Sequence, residues 1–539
     1  INFVKMFSKF KYLFFSILSG LALGLAWPTN GLTVLIFVAL IPLLHLENLI
    51  RKDFDGRQAL RIFCYSYLSF LIWNLITTWW LYNSTIYGML FANFCNSLFY
   101  SIIFLLFYWV KSRMPLRSAY IFLICTWLAF EKLHLMWDFS WSWLNLGNVF
   151  SEKTKWIQWY EYTGTFGGSL WILILNVWIY EVIRSYHFKK LDLAIKKIIG
   201  PILFIVIPII FSVYLFRQIK NQEDKLQVVI MQPNIDPYDA KYQLTNISSL
   251  KNFIRDSRAF ISNETSYVIN PETYFAEGYG EELSNYEFSV LHKEIQKILY
   301  DYPNLEFITG IQFFNKYFQK KAPSLTANLV RENLWLEFYN SALSEQFQKE
   351  FEVYHKSKLV VGVENMPFKN FLKPLLGDVL INLGGTVSSR VTQKNRSVFD
   401  HNHISKKIAP IICYESIFGE FVTGFTKQGA NFFAILTNDA WWGETPGHKQ
   451  LLSYSRLRAI ENRRDIVRSA NTGISAIINA RGEIIKKTKY NTKAVLVGEI
   501  SPRSELTFYS IYGDLIGRWA IFISGVLMLI AISGRLKKI

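Results

Sequence analysis

The chain has 539 residues, too many for one ordinary domain, and 51% are hydrophobic and 17% aromatic although 18% are charged. A formal net charge of +17 fits nucleic acid or a membrane, and the placement of the charges decides between them. Four cysteines (Cys64, Cys95, Cys125, Cys413) without CxxC spacing exclude a zinc ribbon and a disulfide framework.

Apolar runs long enough to cross a bilayer, each roughly 20 residues, fall in two blocks. Seven precede residue 217, at about 12–27, 32–49, 62–81, 89–110, 118–135, 166–185 and 197–216; an eighth closes the chain at about 512–533. The first is short, yet six more spans follow and no small-residue cleavage site succeeds Trp27-Pro28, so a signal peptide is not expected. Basic residues cluster in alternate loops: Lys5, Lys9 and Lys11; Arg51, Lys52, Arg57 and Arg61; Lys111, Arg113 and Arg117; Arg184, Lys189, Lys190, Lys196 and Lys197; Arg535, Lys537 and Lys538. All five sets lie on one side, which places both termini in the cytoplasm and the polar block outside. Topology thus accounts for the charge, and nucleic acid is not an expected partner. The aromatic stretch WDFSWSWLNLGNVF in 136–165 reads as an interfacial belt or as the lining of a lipid entry cleft. Glu131 and Lys132 lie near a span end, where they would snorkel.

From Leu226 the pattern changes. Strands are predicted over 226–235, 266–273, 305–314, 407–416, 431–440 and 473–484, with helices over 286–301 and 448–471. This alternation predicts an α/β domain, in which polar residues just past strand C-termini build the site. Glu272, Cys413 and Asn438-Asp439 hold that position. Within PIICYESIFGE (410–420), Cys413 ends a buried strand and opens a helix or tight turn. Backbone N–H groups there favour a thiolate and offer donors to an oxyanion. The same position also suits a buried structural cysteine. A cysteine nucleophile needs a base and a cation, for which Glu272 after Pro271, and Lys356 with Glu364 eight residues later, are candidates, although each alone also suits a solvated surface residue.

The order Glu272, Lys356, Cys413 resembles the nitrilase superfamily. With PET (271–273), ICYE (412–415), LTNDAWWGETPGHKQ (436–450) and the spans GLALGLAWP (20–28) and TTWWLYNSTIYG (77–88), the whole chain is similar to the apolipoprotein N-acyltransferases. The resemblance implies an α-helical polytopic membrane domain of eight spans plus an extramembrane α/β nitrilase-like αββα sandwich. Residues 1–216 would carry seven spans, 217–511 a periplasmic catalytic domain, and 512–539 the eighth span with a cytoplasmic tail. It implies transfer of an sn-1 acyl chain from a phospholipid, with phosphatidylethanolamine as the expected donor. The acceptor would be the α-amino group of a diacylglyceryl-cysteine on an apolipoprotein, reached through a thioester. Glu272 would be the general base, Lys356 the oxyanion stabiliser and Cys413 the nucleophile, with Glu364, Tyr414 and Glu415 in support. Val361-Gly362-Val363 stands where the family often has Pro-Phe-Gly, so the turn at Glu364 is expected to differ.

Tyr242 is the nearest counterpart of a family tryptophan. Trp335 and Tyr339, in the stretch 315–355, are expected on an arm over the site or in a packed excursion. Trp441 and Trp442 would dip into lipid or pack within the domain. A monomer in the bacterial inner membrane is expected, with no cofactor and no metal, since no GxGxxG, Walker loop or HExxH is present. The alternatives are a membrane-tethered amidase that passes its acyl group to water, a lipid-binding scaffold on the same fold, and a transporter.

Overall fold

The computed structural model describes residues 2–186, 191–219, 224–236, 243–365 and 390–534. Two compact units emerge. One comprises Ile1–Tyr82, Ile86–Gln218 and Tyr512–Ile539; the other comprises Asn83–Thr85 and Ile219–Ile511.

The first unit is helical: α1 (Asn2–Leu25), α2 (Ile41–Asp53), α3 (Gln58–Thr78), α4 (Ile86–Lys111), α5 (Leu116–His134), α6 (Thr165–Tyr186), α7 (Leu191–Gln218) and a final helix, Leu515–Ser533. Six described stretches are long and apolar enough to cross a membrane: Thr33–Asp53, Gln58–Asn83, Ile86–Lys111, Thr165–Ser185, Lys197–Gln218 and Leu515–Ser533. The two other expected spans fall on Phe10–Leu25, which is shorter, and on α5, which carries Arg117, Glu131 and Lys132. Two of those charges are held by protein. Glu131 accepts from the Leu146 N–H (2.8 Å), Ser169 Oγ (2.7 Å) and Trp127 Nε1 (3.2 Å). Lys132 does not snorkel: it is buried and paired with Asp514 at 3.0 Å, because a partner at hand outweighs the reach to water. The aromatic stretch is likewise largely core. Trp143 and Phe150 are buried, and Gly147 lies so close to α6 that a Cβ there would meet Thr165 O at 1.9 Å.

The second unit is a two-sheet sandwich. Its strands are β1 (Leu226–Gln232), β2 (Thr265–Ile269), β3 (Glu281–Glu282), β4 (Glu306–Phe318), β5 (Asn328–Arg331), β6 (Leu334–Gln346), β7 (Glu352–His355), β8 (Phe399–Asp400), β9 (Lys407–Ile412), β10 (Phe432–Thr437), β11 (Ile466–Ala470), β12 (Ala476–Ile478), β13 (Ile484–Lys487) and β14 (Ala494–Ile500). One sheet runs β14-β1-β2-β4-β6-β5, with β3 on β4 and β7 on β6; the other runs β13-β12-β11-β10-β9-β8. β1, β2 and β4 are mutually parallel, as are β9, β10 and β11. Parallel central strands end together, which gathers their C-termini at one edge of the sandwich.

Helices α8 (Asn246–Ser257) and α9 (Val290–Asp301) bury Leu250, Phe253, Leu291, Ile295 and Leu299 against Val229, Val268 and Phe307 of the first sheet. α10 (Gly419–Lys427) and α11 (Pro446–Asn462) follow β9 and β10 of the second sheet. Between the sheets Tyr267 meets Phe432 edge-on at 4.9 Å. The predicted helix over 448–471 is cut short. Arg463 adopts a left-handed conformation (φ 50°) that ends α11, and the β-branched Ile466-Val467 then open β11.

Candidate active site

Three chain crossings build the site. After β2, the segment Asn270-Pro271-Glu272 lies against β4, tied by Asn270 N–H to Ile308 O (2.9 Å) and Gly310 N–H to Pro271 O (3.2 Å). Only a glycine fits at 310, since a Cβ would lie 2.4 Å from Pro271 O and 2.6 Å from Glu272 Cα. After β7, Lys356 donates its backbone N–H to Asn340 O of β6 (2.8 Å). After β9, Cys413 takes a left-handed φ of 50° and opens a short turn, Cys413–Ile417. A residue with a Cβ held at positive φ is strained, as is common where a side chain is aimed for function.

Lys356 is 1% exposed and lies between two carboxylates. Its Nζ is 2.9 Å from Glu272 Oε1 and 2.9 Å from Glu364 Oε2. Burial alone would push this amine down, but Glu272 and Glu364 outweigh it and hold the ammonium well above its ordinary range. Glu364 is held below the ordinary carboxylate range: burial opposes this, and Lys356 and Arg390 overcome it. Its turn closes on itself, with the Val360 N–H donating to Glu364 Oε2 (2.9 Å). The departure from Pro-Phe-Gly therefore leaves Glu364 on the lysine. Asn340 Nδ2 donates to Glu272 Oε1 (2.8 Å) and to Glu364 Oε1 (2.9 Å), bridging both acids.

Glu415 does different work. Its carboxylate accepts from the N–H groups of Ile412 (2.8 Å) and Ser357 (2.6 Å) and from Tyr354 Oη (2.7 Å). It thus pins the lysine segment to the cysteine turn, and burial raises its pKa to about 7. Tyr414 is buried against Phe418, with ring centroids 5.2 Å apart.

Backbone donors at the turn favour a thiolate at Cys413, and burial works against them. The residue opens a short 3-10 turn rather than a long helix, and it is 7% exposed. Burial first, then the Glu272 charge, push the thiol far above its ordinary range; Lys356 opposes and does not prevail. The neutral thiol is thereby favoured over the thiolate.

The aromatic positions divide. Trp335 and Tyr339 lie in β6, whose 13 residues pair in continuous register with β4. Both alternate with Asn340 and so lie on the opposite face; the Tyr339 ring lies tilted by 40° against His355, centroids 4.5 Å apart. Trp441 and Trp442 are half-buried in a turn, Ala440–Trp442, just beyond β10. Tyr242 lies outside the described residues. Asn340 and Arg468 are additions the sequence did not flag. Arg468 donates from Nη2 to Asp439 Oδ2 at 2.8 Å, with both side chains fully buried. Asn340 had no motif to announce it; a buried arginine in the β-branched run IVRSA was the available signal for Arg468.

Residues 232–506, over half the chain, match the Carbon-nitrogen hydrolase family, and residues 19–178 match the Apolipoprotein N-acyltransferase N-terminal domain. Among curated relatives, the apolipoprotein N-acyltransferase of Chlorobaculum tepidum is 28% identical, covering 97% of this chain and 96% of its own. That of Geobacter metallireducens is 25% identical over 97% and 95%, and that of Thermotoga maritima 25% over 96% and 93%. With a buried Glu272–Lys356 pair, a strained cysteine at a strand end and both regions matched along one chain, this protein belongs to the carbon–nitrogen hydrolase family, in its apolipoprotein N-acyltransferase branch.

Proposed function

We propose that the chain acylates the N-terminal amine of diacylglyceryl apolipoproteins, in two half-reactions on Cys413. The observation that carries this reading is a buried ammonium fixed between two carboxylates, within one unit with a buried cysteine at a strand end. Glu272 removes the thiol proton as Sγ attacks the sn-1 ester carbon of a phospholipid, with phosphatidylethanolamine as the donor. Lys356 faces the oxyanion, and Glu364 and Asn340 keep the amine in place. Collapse releases the lysophospholipid, whose oxygen takes the proton from Glu272, and leaves a thioester. The α-amino group of the acceptor then attacks the thioester carbon and gives its proton to Glu272. The thiolate departs and is reprotonated. Tyr414 walls the nucleophile turn, while Glu415 acts through the backbone of Ser357 and Ile412.

In the same proposal residues 1–216 and 512–539 supply eight spans, and 217–511 form the catalytic domain on the outer side of the inner membrane. Both termini are cytoplasmic and the enzyme acts as a monomer. The charge pattern of the loops supports this orientation.

The test is the intact mass of the detergent-purified protein after incubation with phosphatidylethanolamine, for wild type and Cys413→Ala. The expected result is one added acyl chain on the wild type alone, removed by a diacylated lipopeptide with a free amine. An adduct that decays equally fast without the lipopeptide marks a hydrolase. No adduct on either protein overturns the thioester.

A further inference from the structure

Strand register places a hydroxyl beside the nucleophile. β9 and β10 run parallel with Ile411 opposite Ile435 and Ile412 opposite Leu436. The next residues, Cys413 and Thr437, are therefore neighbours where the strands end. Thr437 donates its hydroxyl to Asp439 Oδ1 at 2.8 Å. Asp439 is gripped independently by Arg468, whose Nη2 lies 3.1 Å from Oδ1 and 2.8 Å from Oδ2. Thr437, Asp439 and Arg468 are all fully buried, and a Cβ at Gly473 would lie 2.1 Å from Asp439 Oδ2. The carboxylate has no room to swing away.

A hydroxyl carries one proton, and here two acceptors compete for it, the Asp439 carboxylate and the Cys413 sulfur. Asp439 keeps both arginine contacts if the hydroxyl turns. We propose that Thr437 is a positioning residue for Cys413, its proton resting on Asp439 while the sulfur is a thiol and turning to the sulfur whenever a thiolate forms. Asp439 and Arg468 fix the resting position. A thiolate arises twice per cycle, on attack and on expulsion by the amine, so one donor serves both half-reactions. Charge-assisted donation to a sulfur anion is worth more than the neutral bond it replaces. The electrostatics agree. Burial, Glu272 and Asp439 favour the neutral thiol, whereas Lys356 and Thr437 favour the thiolate. Arg468 and His448 stand behind Asp439.

The proposal rests on Cys413 as nucleophile, and its test is separable from that reading. Alkylation of Cys413 by iodoacetamide is followed against pH by peptide mass on the full chain in detergent. Thr437→Val is expected to raise the apparent pKa by about one pH unit and to slow acyl-enzyme formation roughly tenfold. Thr437→Ser restores both. Asp439→Asn is expected to move the profile the other way, because the charge is lost and the amide frees the threonine proton for sulfur. A profile unchanged in Thr437→Val, or moved in the same direction by both variants, overturns the proposal. Should Thr437→Val unfold, alkylating as in urea, an Asp439→Asn profile that does not move down overturns it. Failure of the nucleophile reading shows elsewhere, as acyl uptake by Cys413→Ala.

Discussion

Glu306 shows how much a single buried carboxyl constrains this domain. It accepts from Ser344 Oγ at 2.6 Å, and its second oxygen has no partner among the described residues. Burial raises its pKa to about 8. An unfolded carboxyl titrates near 4.3, so folding binds a proton between those values. The sign follows: stability falls as pH rises from about 4.3 to about 8, because the unfolded chain ionises there and the folded one does not. Glu306→Gln keeps the shape without the charge. Its thermal midpoint should match wild type near pH 4 and exceed it by several degrees near pH 8, by circular dichroism; equal midpoints at both would refute the assignment. Individual residues were unevenly legible in the sequence. Glu272 and Cys413 stood at predicted strand ends and Lys356 at the opening of an apolar run, and the family resemblance gave the three their roles. Asn340 was not legible, because an amide inside a 13-residue strand signals nothing until the partner strand places it between two acids.

At the scale of elements, the strand ends matter more than the strands. β1, β2, β4, β9 and β10 were legible as apolar β-branched runs. β6 and β14 were missed, and β11 was absorbed into the helix before it. A run that continues a helical pattern without Gly or Pro gives no local sign of its stop, and Arg463 supplies the stop through backbone conformation alone. The face that Trp335 and Tyr339 occupy was not legible for a related reason: pairing register decides the face, and register is a property of two strands. Gly310 turns this geometry into a prediction. Gly310→Ala drives a methyl into the backbone of Pro271, Glu272 and Thr273, none of which can give way cheaply. Acyl-enzyme formation should fall at least about tenfold while the far-ultraviolet spectrum persists, since a displacement of ~1 Å at a catalytic group costs this much or more. A variant with wild-type rates would show that the Glu272 segment is freer than its packing implies.

For the whole molecule, hydropathy and charge were the readable quantities, because a bilayer demands about 20 apolar residues per helix. α5, read as a span at 118–135, carries charges that protein groups satisfy, Glu131 on Leu146 and Ser169 and Lys132 on Asp514. Loop charge gives orientation a direct test. In a background with Cys64, Cys95 and Cys125 replaced by Ala, a membrane-impermeant maleimide applied to spheroplasts should label Lys487→Cys and spare Lys52→Cys; both positions are exposed. The reverse pattern would invert the topology.

The shared anchor at Glu415 has a consequence for descent and engineering. One carboxylate is stapled to the backbones of Ser357 and Ile412, so the lysine-bearing and cysteine-bearing stretches form a single heritable cassette despite the residues between them. Recombination that takes 352–365 from one parent and 407–418 from another must match the two halves of the clasp, or it separates the cation from its nucleophile.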